Sequence, residues 1–285
     1  MTAAAGKFGI DVSEHQGAID WGQAKADGVS FAILRSVKRN LSADLYFEAN
    51  YRGCRENGIP AGIYKYSYAQ TEEEAGKEAE AVLRLLSGRS LELPVFIDVE
   101  DAGQRTLPRE TLTAIVRIFL ETVEAGGYQS GIYCNLDWYQ HVLDVSAFVG
   151  RDFWIARYGK NDGQPAEAYR PDVGEVCWQY TSKGRVAGIS GSVDLNLLYK
   201  DYGTVGRAEP EEMEYFSPPK RYRNGSTAEP VYSSTDRRQK IGSLYRWEEC
   251  LCVGTCDDMA CVIYCITGTR TRKTGWVKWL GGIQD

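Results

Sequence analysis

The sequence predicts an α/β protein: an irregular β/α barrel followed by a small all-β domain. Three observations carry this prediction. Eight short apolar runs recur along roughly the first 200 residues, helical patterns separate the early runs, and the last ~55 residues alternate short strand patterns with turn signals. A chain of 285 residues is long enough for one large domain and a small module.

The eight apolar runs are bounded by Gly, Pro or polar residues, which is typical of strands buried on both faces. In chain order the predicted strands are 8–13, 30–37, 61–68, 93–101, 129–135, 153–158, 176–180 and 193–198. Helices are predicted at 44–57, 71–86 and 108–125, each followed by a glycine stop signal. A capping box of Thr71 and Glu74 begins the second helix.

The later connections, 159–175 and 181–192, are rich in Gly, Pro and Ser and have no helical periodicity. The barrel is therefore expected to be irregular, with β/α units first and nearly bare strands later. The short connection before the eighth strand permits that strand to run antiparallel.

Acidic residues stand where the predicted strands end. Asp98 and Glu100 are two residues apart, so their side chains project to the same side, with Cα atoms about 6.6 Å apart. Two close carboxylates push each other's pKa values apart, so one acts as an acid while the other stays ionised. Glycoside hydrolysis requires such a pair. The alternative is a strand end that is acidic without a catalytic role.

Two further acids are predicted at the same end of the barrel. Asp11 ends the first strand, and the active sites of β/α barrels lie at the carboxyl ends of the strands. Asp194 lies early in the eighth strand and faces the same opening if that strand is antiparallel.

Composition excludes several classes of function. The net charge of −6 gives no basic footprint, so nucleic acid is not an expected partner. No window approaches the ~18 apolar residues of a membrane span, and the N-terminus carries no apolar segment of a signal peptide. The two histidines supply a zinc site poorly, so no metal is expected. Cys54, Cys134 and Cys177 fall within strand or helix patterns, which disfavours a cysteine nucleophile.

Residues 204–229 are predicted to be a linker, because Gly, Pro and charged residues replace the apolar pattern there. Residues 206–285 carry 12 Lys+Arg and 11 Asp+Glu, so this part is nearly neutral while the preceding part is acidic. Five of the eight cysteines lie between positions 250 and 265. Their spacing favours buried thiols, with disulfides or a metal site as open alternatives.

Residues 8–200 resemble glycoside hydrolase family 25, the Chalaropsis-type muramidases, at every predicted strand. The resemblance rests on an ordered set of motifs: Gly9-Ile10-Asp11-Val12-Ser13, Gly62-Ile63-Tyr64-Lys65-Tyr66, Phe96-Ile97-Asp98-Val99-Glu100, Gly131-Ile132-Tyr133, Trp154-Ile155-Ala156-Arg157-Tyr158, Trp178-Gln179-Tyr180 and Val193-Asp194-Leu195-Asn196. The tail, with Gly275-Trp276-Val277-Lys278, is similar to bacterial SH3-type domains that bind cell walls.

The resemblance implies an N-acetylmuramidase, a lysozyme that cleaves the β-1,4 bond between N-acetylmuramic acid and N-acetylglucosamine in peptidoglycan. The implied fold has five β/α units followed by three further strands, and no cofactor is implied. The implied domains are a catalytic barrel at 1–203, a linker at 204–229 and an SH3-like wall-binding domain at 230–285. Phage endolysins often pair these modules, so the expected route to the wall is release from the host cytoplasm, with secretion by another route as the alternative.

By the same resemblance Glu100 is the general acid. Asp98 stabilises an oxazolinium ion formed by the sugar's acetamido group, or acts more directly, and Asp11 and Asp194 orient the pair or hold the sugar. The expected substrate contacts are polar or aromatic side chains of the strands: Arg35, Tyr64, Tyr66, Tyr133, Asn135, Trp154, Tyr158 and Gln179. Trp276 and Trp279 are expected to contact the wall. For each aromatic residue of the barrel, a place in the core is the alternative.

The sequence departs from the family pattern after the second strand. Many members have Ala-Thr-Glu-Gly where this chain has Ser36-Val37-Lys38-Arg39, and Lys65 often corresponds to a histidine. Two other functions remain open at this point. One is a wall-binding protein without catalysis, and the other is a barrel glycosidase acting on another N-acetylated glycan.

Overall fold

The computed structural model describes residues 6–202, 214–225, 227–232, 237, 240–256, 258–265, 272–278 and 280–284. The chain divides into two compact units, Met1–Val205 and Gly206–Asp285. None of the helices in the described ranges combines the length and the apolar character that crossing a membrane would require.

The first unit contains a closed barrel of eight strands that are hydrogen-bonded in chain order. The strands are β1 (Lys7–Val12), β2 (Phe31–Arg35), β3 (Ala61–Tyr66), β4 (Val95–Asp98), β5 (Ser130–Asn135), β6 (Asp152–Ala156), β7 (Cys177–Gly184) and β8 (Val193–Leu198). Strands β1 to β7 are parallel to their neighbours, whereas β8 is antiparallel to both β7 and β1. The predicted eight-stranded barrel is confirmed, and the eighth strand runs in the antiparallel direction that its short connection permits.

The helices of the first unit are α1 (Trp21–Ala26), α2 (Phe47–Glu56), α3 (Glu72–Leu85), α4 (Arg109–Ala125) and α5 (Leu136–His141). The three longer helices match the predicted ones, and Thr71 caps α3 by accepting the Glu74 N–H at 3.2 Å. The sequence analysis missed α1 and α5, which are only six residues long. Side chains cap both, since Asp20 accepts the Gln23 N–H and Asn135 accepts the Trp138 N–H.

Because successive side chains point to opposite faces of each strand, the barrel has an outer and an inner apolar layer. Outward-facing side chains such as Ile63, Ile97 and Ile132 pack against the helices. Inward-facing side chains, including Phe31, Phe96 and Trp154, fill the barrel interior. Because the interior is filled with side chains, a substrate has access only at an end of the barrel.

The second unit forms a seven-stranded antiparallel sheet in the order β11-β10-β14-β13-β12-β9-β15. Its strands are β9 (Glu214–Arg223), β10 (Ala228–Tyr232), β11 (Lys240–Tyr245), β12 (Glu249–Cys256), β13 (Met259–Cys265), β14 (Arg272–Val277) and β15 (Ile283–Gln284). The sheet has its own buried core, which includes Tyr222, Val231, Leu244 and Val262. An all-β second unit was predicted, and the sheet agrees with that prediction.

The predicted linker at 204–229 was wrong over much of its length, because residues 214–223 form β9. This strand pairs with β12 and β15. Pro218 and Pro219 caused the error, since prolines cannot donate to a sheet and usually indicate loops. Both prolines lie between the two paired stretches of β9, where the register with β12 shifts, so they remove no paired N–H.

Lys65, which often corresponds to a histidine in the family, lies within β3. It faces outward from β3, is fully buried, and its Nζ lies 3.0 Å from Glu78 Oε1 on α3. Glu78 also accepts the Tyr68 N–H at 2.9 Å. The ion pair therefore connects β3, α3 and the segment that follows β3.

We predict that Glu78→Ala lowers the free energy of unfolding by about 3–5 kcal/mol, because it leaves the Lys65 ammonium buried without its partner. The double variant Lys65→Met/Glu78→Leu should recover most of that loss, since two apolar side chains need no charge compensation. Urea unfolding followed by circular dichroism measures both variants. The control is Glu73→Ala, which breaks an exposed ion pair on the same helix and should change little. A Glu78→Ala variant as stable as this control would contradict the prediction.

Candidate active site

A cavity of about 460 Å³ opens at the carboxyl ends of the parallel strands. Four acids from three strands line it: Asp11 from β1, Asp98 and Glu100 from the end of β4, and Asp194 from β8. Asp11 and Asp194 are direct partners across the β1–β8 ladder, which brings the antiparallel strand's acid to the same opening. The four predicted catalytic side chains are therefore together in one cavity.

Asp11 is held by two buried amide side chains. Its Oδ2 accepts one hydrogen bond from Gln179 Nε2 and one from Asn196 Nδ2, each at 2.8 Å. Asn196 in turn accepts the Trp154 indole N–H at 2.8 Å. Burial raises the pKa of Asp11, while the two amide donors act against that rise.

Gln179 is a bridge between this acid and two tyrosines. Its Oε1 accepts the hydroxyl of Tyr133 at 2.9 Å and that of Tyr158 at 2.6 Å. Because Gln179 is buried and all these groups engage it, its role is to fix Asp11 and the tyrosines. The sequence analysis named Gln179 and Tyr133 as substrate contacts but did not anticipate this hydrogen-bond network.

Asp98 and Glu100 differ in their surroundings. Asp98 is buried, and its Oδ1 has no hydrogen-bond partner among the described residues. Burial and then the charges of Glu100 and Asp11 raise the pKa of Asp98 well above its usual value, and the Lys65 ammonium partly opposes the rise. Glu100 is half-exposed, and burial together with the charge of Asp11 raises the pKa of its carboxyl too.

Asp194 completes the cluster as a proton-holding group. Burial, the charge of Asp11 and the hydrogen bond between the two carboxyls raise the pKa of Asp194 to about 8. At neutral pH its protonated carboxyl therefore donates to Asp11, which explains how the two acids tolerate being direct partners.

Aromatic rings form the floor and one side of the cavity. Trp154 is central, with ring centroids 4.4 Å from Tyr133 and 6.2 Å from Tyr64. It is almost completely buried, so its contribution is mainly to the floor of the cavity. Tyr158 is 37% exposed, and Tyr66 packs against Tyr68 with centroids 4.7 Å apart. Tyr66, Tyr68 and Tyr158 are therefore accessible to a ligand in the cavity.

Basic residues form a second side, which comes from the end of β2 and the segment that follows it. Arg35 lies 2.7 Å from Asp44 and 2.5 Å from Glu14, so acidic partners neutralise it. Arg39 is exposed and lies over the Tyr68 ring at 4.7 Å. The sequence analysis noted Lys38 and Arg39 only as departures from a family pattern. The structure brings both into the cavity lining, together with Glu14 and His15.

The structure does not bring every predicted binding residue to the cavity. Asn135 caps α5 through its side chain and is not in the lining of this cavity, so its role as a substrate contact stays a prediction. Trp276 is half-buried in β14, where it pairs with Tyr232 and Cys261. Trp279 lies outside the described residues. No group of three or more metal-ligating side chains in the described ranges is arranged to hold an ion.

The cysteines of the second unit can also be located. Cys252 and Cys261 are free and buried, and burial raises the pKa of each thiol. Cys250 is a free, half-buried thiol and Cys265 a free, exposed one. Burial, as predicted, therefore applies to Cys252, Cys256 and Cys261, whereas Cys265 is exposed.

Clustered carboxyls with raised pKa values, set beside aromatic rings at the opening of a β/α barrel, define the class of glycoside-cleaving enzymes. The family model of the glycosyl hydrolases family 25 matches residues 10–189. The chain therefore belongs to glycosyl hydrolases family 25, and it is a glycoside hydrolase.

Two curated lysozymes and a solved endolysin structure are similar to this chain. The chain is 29% identical over 188 residues to the autolytic lysozyme of Clostridium acetobutylicum, covering 66% of this chain and 54% of that protein. It is 27% identical over 208 residues to lysozyme M1 of Streptomyces globisporus, covering 67% of each. Among solved structures, the catalytic domain of endolysin ply40 from bacteriophage P40 of Listeria monocytogenes matches with a TM-score of 0.61 and 25% identity. That match covers 70% of this chain and 96% of the solved one.

We predict that Asp194→Asn stabilises the barrel more at pH 8 than at pH 5. The folded-state pKa of Asp194 is raised from 3.8 to about 8, so the folded state holds a proton that the unfolded state has lost. Wild-type stability therefore falls as pH rises through this window, and the asparagine variant lacks that fall. The melting temperature of the variant should exceed that of wild type by about 2–4 °C or more at pH 8.

Glu73→Gln is the control for this pH comparison. Lys77 lowers the pKa of Glu73, so stability from this pair is already complete above its unfolded pKa and the effect should be flat from pH 5 to 8. Differential scanning fluorimetry measures all three proteins. A melting difference for Asp194→Asn that is equal at both pH values would mean that Asp194 carries no raised pKa.

Proposed function

We propose that Glu100 and Asp98 cleave the β-1,4 bond of peptidoglycan next to N-acetylmuramic acid, with Asp11 and Asp194 supporting them. The protein is a peptidoglycan hydrolase of the lysozyme type. The observation that carries the proposed residue roles is that four carboxyls from three strands share one cavity and that the pKa of Glu100, the proposed acid, is raised.

Glu100 suits the role of general acid. An acid must carry its proton near neutral pH and must reach the oxygen of the leaving sugar. Burial and the charge of Asp11 raise the pKa of Glu100, and its half-exposed position gives it access to a bound ligand. We assign to Glu100 the donation of a proton to the glycosidic oxygen as the bond to the anomeric carbon breaks.

Asp98 suits the role of partner at the sugar itself. Its buried Oδ1 has no hydrogen-bond partner among the described residues, so it is available to accept the N–H of a 2-acetamido group. In this proposal that bond orients the acetamido oxygen towards the anomeric carbon and stabilises the resulting oxazolinium ion. Substrate assistance of this kind is an accepted exception to the two-carboxylate scheme.

The aromatic and basic sides of the cavity suit the sugar rings and the peptide stems of peptidoglycan. The accessible faces of Tyr66, Tyr68 and Tyr158 suit sugar rings, since tyrosine combines a flat apolar face with a polar hydroxyl. Arg39 and Lys38 suit the carboxylates of the peptide stems that muramic acid carries. In this proposal the four acids face the scissile bond, and Lys38 and Arg39 face a peptide stem.

We also propose that the second unit anchors the enzyme to the wall. Its sheet has a separate core and near-neutral charge, whereas the barrel unit is acidic. An acidic catalytic unit is repelled by an anionic wall, and a tethered binding unit raises its effective concentration there without any new catalytic contact. An SH3-type fold for this unit remains part of the proposal.

We predict that Glu100→Gln lowers the lysis rate by roughly 10²–10⁴-fold while leaving folding intact, because it removes the transferable proton without changing shape. Asp98→Asn should be about as damaging, whereas Asp11→Asn and Asp194→Asn should lose less, since these two act on the pair rather than on the sugar. Turbidity loss of purified walls measures the rates. The matched control is Glu14→Gln, an acid of the same cavity that pairs with Arg35.

Two results would contradict these assignments. Activity of Glu100→Gln within twofold of wild type would remove the general-acid role, whereas no lysis by the wild type would be expected of a wall-binding protein without catalysis. A larger loss for Asp11→Asn than for Asp98→Asn would mean that their roles are exchanged. Lysis of chitin at the rate of peptidoglycan would favour a glycosidase of broader N-acetylated substrates.

We predict that the truncated chain 1–205 cleaves short soluble muropeptide chains at a rate similar to that of the full chain but lyses whole cells more slowly. The reason is that a short soluble substrate gains nothing from tethering. Reducing-end release and turbidity loss are compared at two salt concentrations, because exposed charges are screened over ~8 Å at physiological ionic strength. Loss of activity on the soluble chains as well would mean that the second unit completes the fold or the cavity.

A further inference from the structure

The turn between β11 and β12 in the second unit presents an exposed aromatic side chain in an unusual backbone conformation. Trp247 has φ = 72°, in the left-handed region that bulky residues rarely adopt. Its side chain is nevertheless 54% exposed, so no burial of the ring compensates this strain. Tyr245, two residues earlier, is 55% exposed. Strained residues that persist in a structure cluster at ligand-binding sites.

The strained conformation is held in place by the neighbouring strand. Asn224, at the end of β9, is fully buried and accepts the Trp247 N–H through its carbonyl at 2.8 Å. The Asn224 N–H donates to the Glu248 carbonyl at 3.0 Å, and its side chain donates to the Leu244 carbonyl at 2.8 Å. The Tyr245 N–H donates to Glu248 Oε2 at 2.7 Å. The turn is thus fixed on both sides of Trp247, which keeps the ring in a defined position at the surface.

Two arginines accompany the exposed ring. The guanidinium carbons of Arg223 and Arg246 each lie 4.9 Å from the centroid of Trp247. Arg223 lies 3.8 Å from Glu249 Oε1, whereas Arg246 has no acidic partner in the described part of the chain. Both guanidiniums lie over the ring, and more than half of Trp247 is still exposed. The exposed part of the ring together with the arginines suits a ligand that combines pyranose rings with anionic groups, since the indole packs against a sugar and a guanidinium binds an anion.

We infer that Trp247, Tyr245, Arg223 and Arg246 form a binding site for the glycan strand of peptidoglycan, separate from the catalytic cavity. This inference rests on the wall-directed function proposed above. Peptidoglycan fits better than a polyol-phosphate wall polymer, because its continuous pyranose chain gives the indole ring a stacking partner at each sugar and its stems supply the carboxylates. The site also replaces Trp276, which is half-buried within β14, as the wall-contacting tryptophan of this unit.

The test measures binding without cleavage, using the full chain with Glu100→Gln as the parent. The probe is purified Gram-positive sacculi stripped of teichoic acid with hydrofluoric acid, and the readout is the fraction of protein that sediments with them. Trp247→Gly removes the ring and relieves the positive φ, so the variant should fold at least as well as the parent. Its binding should weaken by about tenfold or more, as expected when a central tryptophan of an interface is lost.

Further variants separate the contributions. Trp247→Phe keeps a flat ring and should retain much of the binding, while Arg246→Ala should lose less than Trp247→Gly and lose most at low salt. Lys240→Ala is the matched control, because it removes a positive charge at the opposite end of β11. Melting temperatures of all variants verify that the second unit remains folded.

The outcomes distinguish this inference from the proposed function. Weaker binding of Trp247→Gly to stripped sacculi, with Lys240→Ala unaffected, supports the site. Equal binding of Trp247→Gly and the parent overturns it, and a loss seen only on sacculi that retain teichoic acid overturns peptidoglycan as the ligand. If the parent does not bind while the wild type still cleaves soluble chains, the site is wrong and the hydrolase function stands.

Discussion

The burial of carboxyls at an apolar barrel end is the constraint on which the rest of the site depends. An unpaired carboxylate is costly in such surroundings, and several of them in one cavity repel each other as well. Around Asp11 the chain supplies amide donors. Gln179 and Asn196 both donate to Asp11, and the Asp194 carboxyl shares a proton with it. The same amides hold Trp154, Tyr133 and Tyr158, so the acids and the aromatic wall form one network.

This arrangement relates stability to activity. The raised pKa values mean that the folded barrel is less stable at neutral pH than it would be with amides in place of the acids. The same raised values keep a proton available at the pH where glycosidic bonds must be cleaved. The buried Lys65–Glu78 pair lies on the outer side of β3, and its positive charge partly opposes the rise in the pKa of Asp98. Groups on the inner side of the barrel wall and Lys65 on its outer side therefore both influence the pKa values of the acids.

The sequence was sufficient to predict the barrel and the four acids, because strand alternation and the end of a strand determine where a side chain points. It was insufficient for residues whose role depends on a neighbour. Asn135 follows a strand, as a ligand-binding residue would, but its amide caps α5. Strand β9 contains Pro218 and Pro219, and only its register with β12 reveals that neither proline occupies a paired position. The exposure and positive φ of Trp247 depend on Asn224, which is more than twenty positions away, so no local pattern could indicate them.

The identity of the sugar at the cleaved bond tests the central claim most directly. Purified walls are digested with the full chain, the products are reduced with borohydride, and mass spectrometry identifies the sugar alcohol at each new end. We predict new N-acetylmuramitol ends with the wild type and roughly 10²–10⁴-fold fewer of them with Glu100→Gln over the same digestion time. New ends on N-acetylglucosamine, or muramitol ends formed by Glu100→Gln at the wild-type rate, would contradict the central claim.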